Sequence, residues 1–360
     1  MASITKRPDG RWRARYRDET GKEHARHFDR KVDGQRWLDE ASAALVTGQF
    51  VNPKADKITF ADFAVTAWLP SLDLRPSSRR EYEGAVARYV APLLGSKSIS
   101  EITILDARGF VTALEQRLGA RTVRRIVGHV RAIFRFAVAS KVVTGSPFDS
   151  VRMRPLVQAR RKIPTVADVR AVVASAREPI TAVMVQVGAQ TGMRSAELRG
   201  LCIRDLDLPR RRLTISRQLV PGKDGAFALG DLKTPASVRT VRLTRDLAET
   251  LATFLAVNPP DVANGLLFHE SGRPISNSTW DYRIKAAQRR AGVATFRIHD
   301  LRHHCASVLI AAGVPVPAIT QQLGHASPQV TYGVYAHLLR DHEEAASDAI
   351  AAAWALPTQA

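Results

Sequence analysis

In the opening stretch "GRWRARYRD", apolar Trp12, Ala14 and Tyr16 interleave with Arg11, Arg13, Arg15 and Arg17. A period of two predicts a strand with one packed and one basic face. "ETGKE" supplies a glycine turn and "HARHF" a returning strand. From Arg30 onward, Trp37, Leu38, Ala41 and Leu45 recur at helical spacing. Residues 1–55 are therefore expected to form a small sheet with one helix. After the loop-like "GQFVNPKADK" the period lengthens. Phe60, Phe63, Ala64, Ala67 and Trp68 form one stripe, Val86, Tyr89, Val90 and Leu93 a second, and Val123, Ile126, Val127, Val130, Ile133, Phe134 and Ala137 a third. Residues 56–151 thus predict a bundle of about four helices. "VRMRPLVQARRKIP" carries two prolines and no acid, so residues 152–162 read as an exposed basic linker. Beyond it, residues 163–360 predict a helix (Ile180, Val183, Met184, Val187), strands around 213–220 and 238–243, and helices to the end. The fold class is mainly α with small β-sheets, an α+β chain of several folding units.

Composition narrows the function. With 45% hydrophobic and 24% charged residues, and no apolar run near the ~18 residues a span requires, the chain reads as soluble rather than membrane-embedded. Its N-terminus is basic without an apolar core, so the expected location is the cytoplasm. Cys202 and Cys305 fit neither a disulfide framework nor a metal-ligand spacing. The net charge of +19 calls for a polyanion, and all four segments share it with a surplus of four or five positive charges each. An excess spread in this way suggests that every unit touches one long polyanion such as DNA or RNA. Candidate contacts are Arg11, Arg13, Arg15 and Arg17 on the first strand, Arg121, Arg124, Arg125, Arg131 and Arg135 around the third stripe, and Arg160, Arg161 and Lys162 in the linker. A merely solvated face is the competing account of the first two sets.

Four stretches of the last segment carry candidate chemistry. In "TGMRSAEL" a helix ends at Gly192 and Arg194 opens the next, where a guanidinium can be a fixed phosphate fork. In "GDLKTPASVRTVRL", Lys233 precedes the strand of Val238 to Leu243 and is expected on a hairpin turn. In "HDLRHHCASVLIAAG", Leu301, Cys305, Val308, Leu309 and Ala312 predict a buried stripe, with His299 and Arg302 beside it. In "LGHASPQVTYGVYAHL", Gly324 ends a helix, His325 follows, and Ser327–Pro328 start the helix carrying Tyr332 and Tyr335. Together the groups suit attack of a tyrosine oxygen on a phosphodiester. Arginines neutralise the phosphate, a histidine takes the phenol proton, and a mobile lysine protonates the leaving oxygen. No acidic cluster able to hold a metal lies nearby, so no cofactor is expected and the arginines take over what metal ions do elsewhere. Either tyrosine could be the nucleophile on this ground alone.

These stretches, in this order, resemble the tyrosine recombinases, and the phage-type integrases in particular. The resemblance implies a catalytic set of Arg194, Lys233, His299, Arg302 and His325, with Tyr335 as nucleophile because Ala336, His337 and Leu338 follow it. Arginines would hold the scissile phosphate, Lys233 would be general acid, His299 base and His325 a phosphate donor. Glu197 would support the set, His303 could share the proton with His299, and no role is evident for His304. It further implies an arm-type DNA-binding first unit, a core-site-binding helical unit, a homotetramer on double-stranded DNA, and a C-terminal "SDAIAAAWALP" helix that docks on a neighbour. Partners would include a host DNA-bending protein and an excision directionality factor. A type IB topoisomerase shares the chemistry, and a DNA-binding regulator with an inactive site is a rival from another class.

Overall fold

The computed structural model describes residues 2–17, 21–46, 58–156, 163–222, 227–232, 234, 237–260, 265–329, 331, 332, 335, 347, 350, 351, 353 and 354. They fall into two compact units, residues 1–159 and 160–360.

The first unit opens with an antiparallel sheet of β1 (Ser3–Lys6), β2 (Trp12–Arg17) and β3 (Glu23–Phe28), with β2 central. Ala14 and Tyr16 of β2 are buried and Arg15 and Arg17 exposed, as the alternation predicts. Helix α1 (Lys31–Val46) lies on the apolar face, where Trp37 meets Tyr16 and Phe28 at ring-centroid distances of 5.1 and 5.8 Å. Parts of the basic face are neutralised locally: Glu23 pairs with Arg13 and Arg15, and Asp29 with Arg11.

The helical part comprises α2 (Phe60–Phe63), running on through a π-helical turn Ala64–Trp68, and α3 (Pro76–Ala85), running on through a second π turn Val86–Val90 into α4 (Ala91–Leu94). It closes with α5 (Ile104–Glu115) and α6 (Ala120–Ala139). Every position of the third stripe is buried on α6. The second stripe needs one correction: Leu93 is exposed and Leu94 buried. A π turn takes up one more residue than an α turn, which moves the inward position on by one. Arg131 also departs from expectation. Its guanidinium donates to the carbonyls of Phe148 and Val151, so it fastens the chain after α6, whereas Arg121, Arg124, Arg125 and Arg135 stay exposed. Arg125 pairs with Glu81.

In the second unit, α7 (Val166–Ala174), α8 (Pro179–Thr191) and α9 (Ser195–Arg199) precede β4 (Leu206–Asp207), β5 (Arg212–Ile215), the β6 (Arg217–Pro221)–β7 (Phe227–Asp231) hairpin, and β8 (Arg239–Arg242). Strands β4, β5 and β8 form one antiparallel sheet. Then come α10 (Arg245–Val257), the short pair β9 (His269–Glu270) and β10 (Arg273–Pro274), α11 (Asn277–Ala291), α12 (Asp300–Ala311) and α13 (Val316–Leu323). Helix α8 is the core's axis: Val183, Met184 and Val187 are buried there, and α7, α10 and α12 pack around it. Among the described residues no helix is long and apolar enough to cross a membrane. Near the C-terminus residues 347, 350, 351, 353 and 354 are helical, and Ile350 and Trp354 are exposed.

Candidate active site

The site is framed by two helix ends. Gly192 caps α8 at φ +67° and Gly324 caps α13 at φ +62°, the left-handed conformation that stops a helix. Each glycine carbonyl accepts from one arginine. Arg302 Nη1 donates to Gly192 O at 2.7 Å, and Arg194 Nη2 donates to Gly324 O at 3.1 Å. Cations at the negative ends of two helices are favourably placed. A side chain at Gly324 would sit 2.9 Å from Arg239 Nη1. Gly324→Ala therefore forces both an unfavourable φ and a displaced arginine. It is expected to cost about 2 kcal/mol or more in urea unfolding, and to slow catalysis through Arg194.

Glu197 ties the frame together from below. Only 1% exposed, it accepts from Arg194 N (2.9 Å), Arg194 Nη1 (2.7 Å) and Arg239 Nη2 (2.9 Å). Burial pushes its carboxyl up, but Arg239 and Arg194 together outweigh burial and hold it below the usual carboxylate range. Arg239 also donates to Gln322 O and Ser237 O, so each of its three guanidinium nitrogens has an acceptor. Nothing in "SVRTVRL" marks Arg239 apart from its neighbours, save an inward position on a strand where β5 partners it with Ile215.

Arg302 is buried, not beside an apolar stripe as expected from spacing. Helix α12 buries Leu301, Arg302, His304, Cys305, Ala306 and Ile310, while Val308 is exposed. Arg302 Nη2 is buried without a hydrogen-bond partner among the described residues, a donor left open for an anion. Burial, with Arg194 and Arg239 adding to it, lowers the guanidinium to about 10.

Tyr335 and Tyr332 part company here. Tyr335 is buried, with its hydroxyl 2.9 Å from His303 Nδ1 and the rings edge-on at 5.6 Å; Tyr332 is half exposed. Burial pushes the Tyr335 phenol up to about 12, against the pull of Arg302. His299 stacks edge-on against His303 at 5.1 Å, and the histidine that meets the phenol among the described residues is His303. His299 keeps a solvent-exposed edge. Partial burial first, then His303 and Arg302, still lower it to about 4. His325 is lowered to about 4 by burial and by Arg302, Arg194 and Arg239. His304 gains a structural role: its Nδ1 lies 2.8 Å from Pro164 O and pins the start of the unit to α12. Lys233 and the linker cations Arg160, Arg161 and Lys162 lie outside the described residues. Next to Lys233, Thr234 and Ser237 are joined through their hydroxyls at 2.9 Å. Among the described residues no His, Cys, Asp or Glu cluster could hold a metal.

Three sequence profiles match the chain: the phage integrase N-terminal domain over residues 2–47, the phage integrase central domain over 65–154, and the phage integrase family over 166–342. The chain belongs to the phage integrase family of tyrosine recombinases. Family members among its relatives include the ICEBs1 integrase of Bacillus subtilis strain 168, 23% identical with 85% of this chain and 87% of the relative covered. The integrase of Mycobacterium phage L5 is 24% identical, with 84% of each chain covered. In fold the chain is similar to the Tn1549 transposon integrase in complex with a circular intermediate DNA, at TM-score 0.71 and 18% identity over 82% of this chain and all of that one. It is also similar to a lambda integrase tetramer bound to a Holliday junction, at TM-score 0.60 and 18% identity over 90% and 96%. As a tyrosine recombinase of the phage and mobile-element kind, the protein is a site-specific integrase that breaks and rejoins DNA.

Proposed function

We propose that Tyr335 attacks a DNA phosphodiester and forms a 3′-phosphotyrosyl bond, releasing a 5′ hydroxyl that then attacks a partner duplex. One observation carries this reading: the Tyr335 hydroxyl is directed at an imidazole nitrogen beside Arg302, whose open Nη2 can take a phosphate oxygen. Arg194 and Arg302 stabilise the charge on the non-bridging oxygens, and His325 donates to one of them. His303 accepts the phenol proton with His299 behind it, and Lys233 protonates the leaving oxygen. The ester keeps the bond energy, so the reaction draws on neither ATP nor a metal.

Residues 1–55 would bind arm-type sites, residues 56–151 the core site, and residues 152–162 would run along the duplex between the latter and the catalytic unit 163–360. The exposed arginines of β2 and α6 suit this. The protein would act in the cytoplasm as a homotetramer on double-stranded DNA, its exposed Ile350 and Trp354 meeting a neighbour. A host DNA-bending protein and an excision directionality factor would assist. The test is a covalent adduct trapped on a nicked target duplex: a denaturant-stable 3′-phosphotyrosine supports the reading. Binding without adduct supports the regulator, and relaxation of plasmids lacking the site supports the topoisomerase.

Two histidines of the site are depressed. An imidazole of ordinary pKa near 6.5 would titrate there. His299 and His325 lie at about 4, so both are neutral over that range and titrate well below pH 6. The imidazole resonances of His299 and His325 are expected to stay level from about pH 8 to 5.5 in an NMR titration. A titration of either ring centred near 6.5 would contradict it. Stability responds to the same shifts. Between pH 6.5 and about 4 the unfolded chain binds protons the folded unit refuses, so stability declines as the solution is acidified through that window.

A further inference from the structure

The mechanism assigns His325 a phosphate-donating nitrogen but leaves open what decides which nitrogen carries the proton. A neutral imidazole has one N–H, and only the ring nitrogen turned away from the protein can serve an anion. His325 Nδ1 is already engaged, 2.8 Å from Thr331 Oγ1, and Thr331 Oγ1 is in turn 2.9 Å from Thr320 Oγ1. Thr331 is fully buried and Thr320 nearly so. The backbone N–H of His325 donates to Thr320 O at 3.1 Å, which holds the ring over this pair.

Counting protons orders the chain of three. Two hydroxyls and one neutral ring bring three protons. Among the described residues the Thr320 hydroxyl meets only Thr331. If the ring donated from Nδ1 to Thr331, then either Thr331 would donate to Thr320 and strand the Thr320 proton, or Thr331 would accept from both and strand its own; each leaves a buried proton with no acceptor among the described residues, at a cost of about 1–3 kcal/mol. In the opposite order Thr320 donates to Thr331, Thr331 donates to Nδ1, and the ring proton stands on Nε2. Every proton is then used or free to meet the phosphate. The burial and neighbouring cations that keep His325 uncharged make this choice of tautomer matter.

Thr331 lies one helical turn before Tyr335, in a stretch where residues 328, 329, 331, 332 and 335 are helical. We propose that Thr331 is a positioning residue: its hydroxyl fixes the Nε2–H tautomer of His325, so the segment that carries the nucleophile also sets the phosphate donor. The proposal rests on the phosphotyrosyl reading for its consequence, and on the hydroxyl geometry alone for the tautomer.

The experiment uses the full chain labelled with 15N-histidine, as wild type, Thr331→Val and Thr331→Ser, with His325→Gln to assign the resonance. Valine keeps the shape and removes the hydroxyl; serine keeps the hydroxyl. Wild type and Thr331→Ser are expected to show the proton on Nε2, and Thr331→Val to shift it toward Nδ1. Adduct formation at saturating nicked duplex should fall about 10–100-fold in Thr331→Val, recover to within a few-fold in Thr331→Ser, and leave the affinity for DNA unchanged. An Nε2–H tautomer that persists in Thr331→Val, or an adduct rate there equal to wild type, overturns the proposal. The wild-type spectrum alone overturns it by showing the proton on Nδ1, whether or not Thr331→Val folds. If wild type forms no adduct, the phosphotyrosyl reading fails, and the tautomer measurement still decides the hydroxyl relay.

Discussion

Tyr335→Phe removes the covalent protein–DNA adduct altogether, whereas Tyr332→Phe leaves its rate within about twofold of wild type. Phenylalanine deletes one oxygen and keeps the ring that packs with Cys305, Ala306, Ile310, Ile319 and Leu323. The folding cost is then that of one hydrogen bond to His303, about 1 kcal/mol. The chemical cost is the whole covalent path, on the order of a million-fold when a nucleophile is removed from a cooperating set. Tyr332 is half exposed, and helical spacing sets it about 60° around the axis from Tyr335. The measurement is denaturant-stable adduct on a nicked target duplex. Loss in Tyr332→Phe alone would place the nucleophile one helical turn earlier and separate it from His303.

Helical and strand periods reported packing faithfully where packing alone decides. All seven inward positions of α6 were legible, as was the alternation in β2, because burial of one face dictates both. The period failed at Leu93 because a π turn in Val86–Val90 changes the residues per turn, and no residue type in "VARYV" announces that. It failed again at Arg302, since apolar spacing carries no sign of a cation buried to meet the carbonyl of a glycine 110 positions earlier. Motif order gave the arginines, histidines and tyrosine of the candidate site. It offered His303 as sharing the proton with His299 but could not choose between them, which depends on how α12 faces the tyrosine segment, and it gave no sign of Arg239, an arginine that reads like any alternating strand residue. His304 was opaque for the same reason: its partner is a backbone carbonyl, and backbone carries no sequence signal.

The largest effect on stability is expected at Glu197, which touches no reacting atom. Its carboxylate is the counter-charge for Arg239, itself only 3% exposed on its side chain, and it holds the half-buried Arg194 by both backbone and guanidinium. Glu197→Gln keeps the volume but replaces one acceptor by an NH2 group that faces a guanidinium. Breaking one side of a buried pair costs about 3–5 kcal/mol, because the remaining charge stays desolvated. A loss of that order is expected in urea unfolding at pH 7. Adduct formation should fall about a hundredfold as well, since Arg194 loses the bonds that aim it. The pH dependence separates this from a general packing defect. With its pKa held below the unfolded value of about 4.3, the carboxylate contributes stability above that value and loses it as the solution is acidified through the folded pKa. The gap between wild type and Glu197→Gln should therefore close in acid and stay open at neutral pH. A gap under about 1 kcal/mol at pH 7 would mean that Arg239 finds water or another acceptor, and that the two arginines do not depend on a shared carboxylate for their aim.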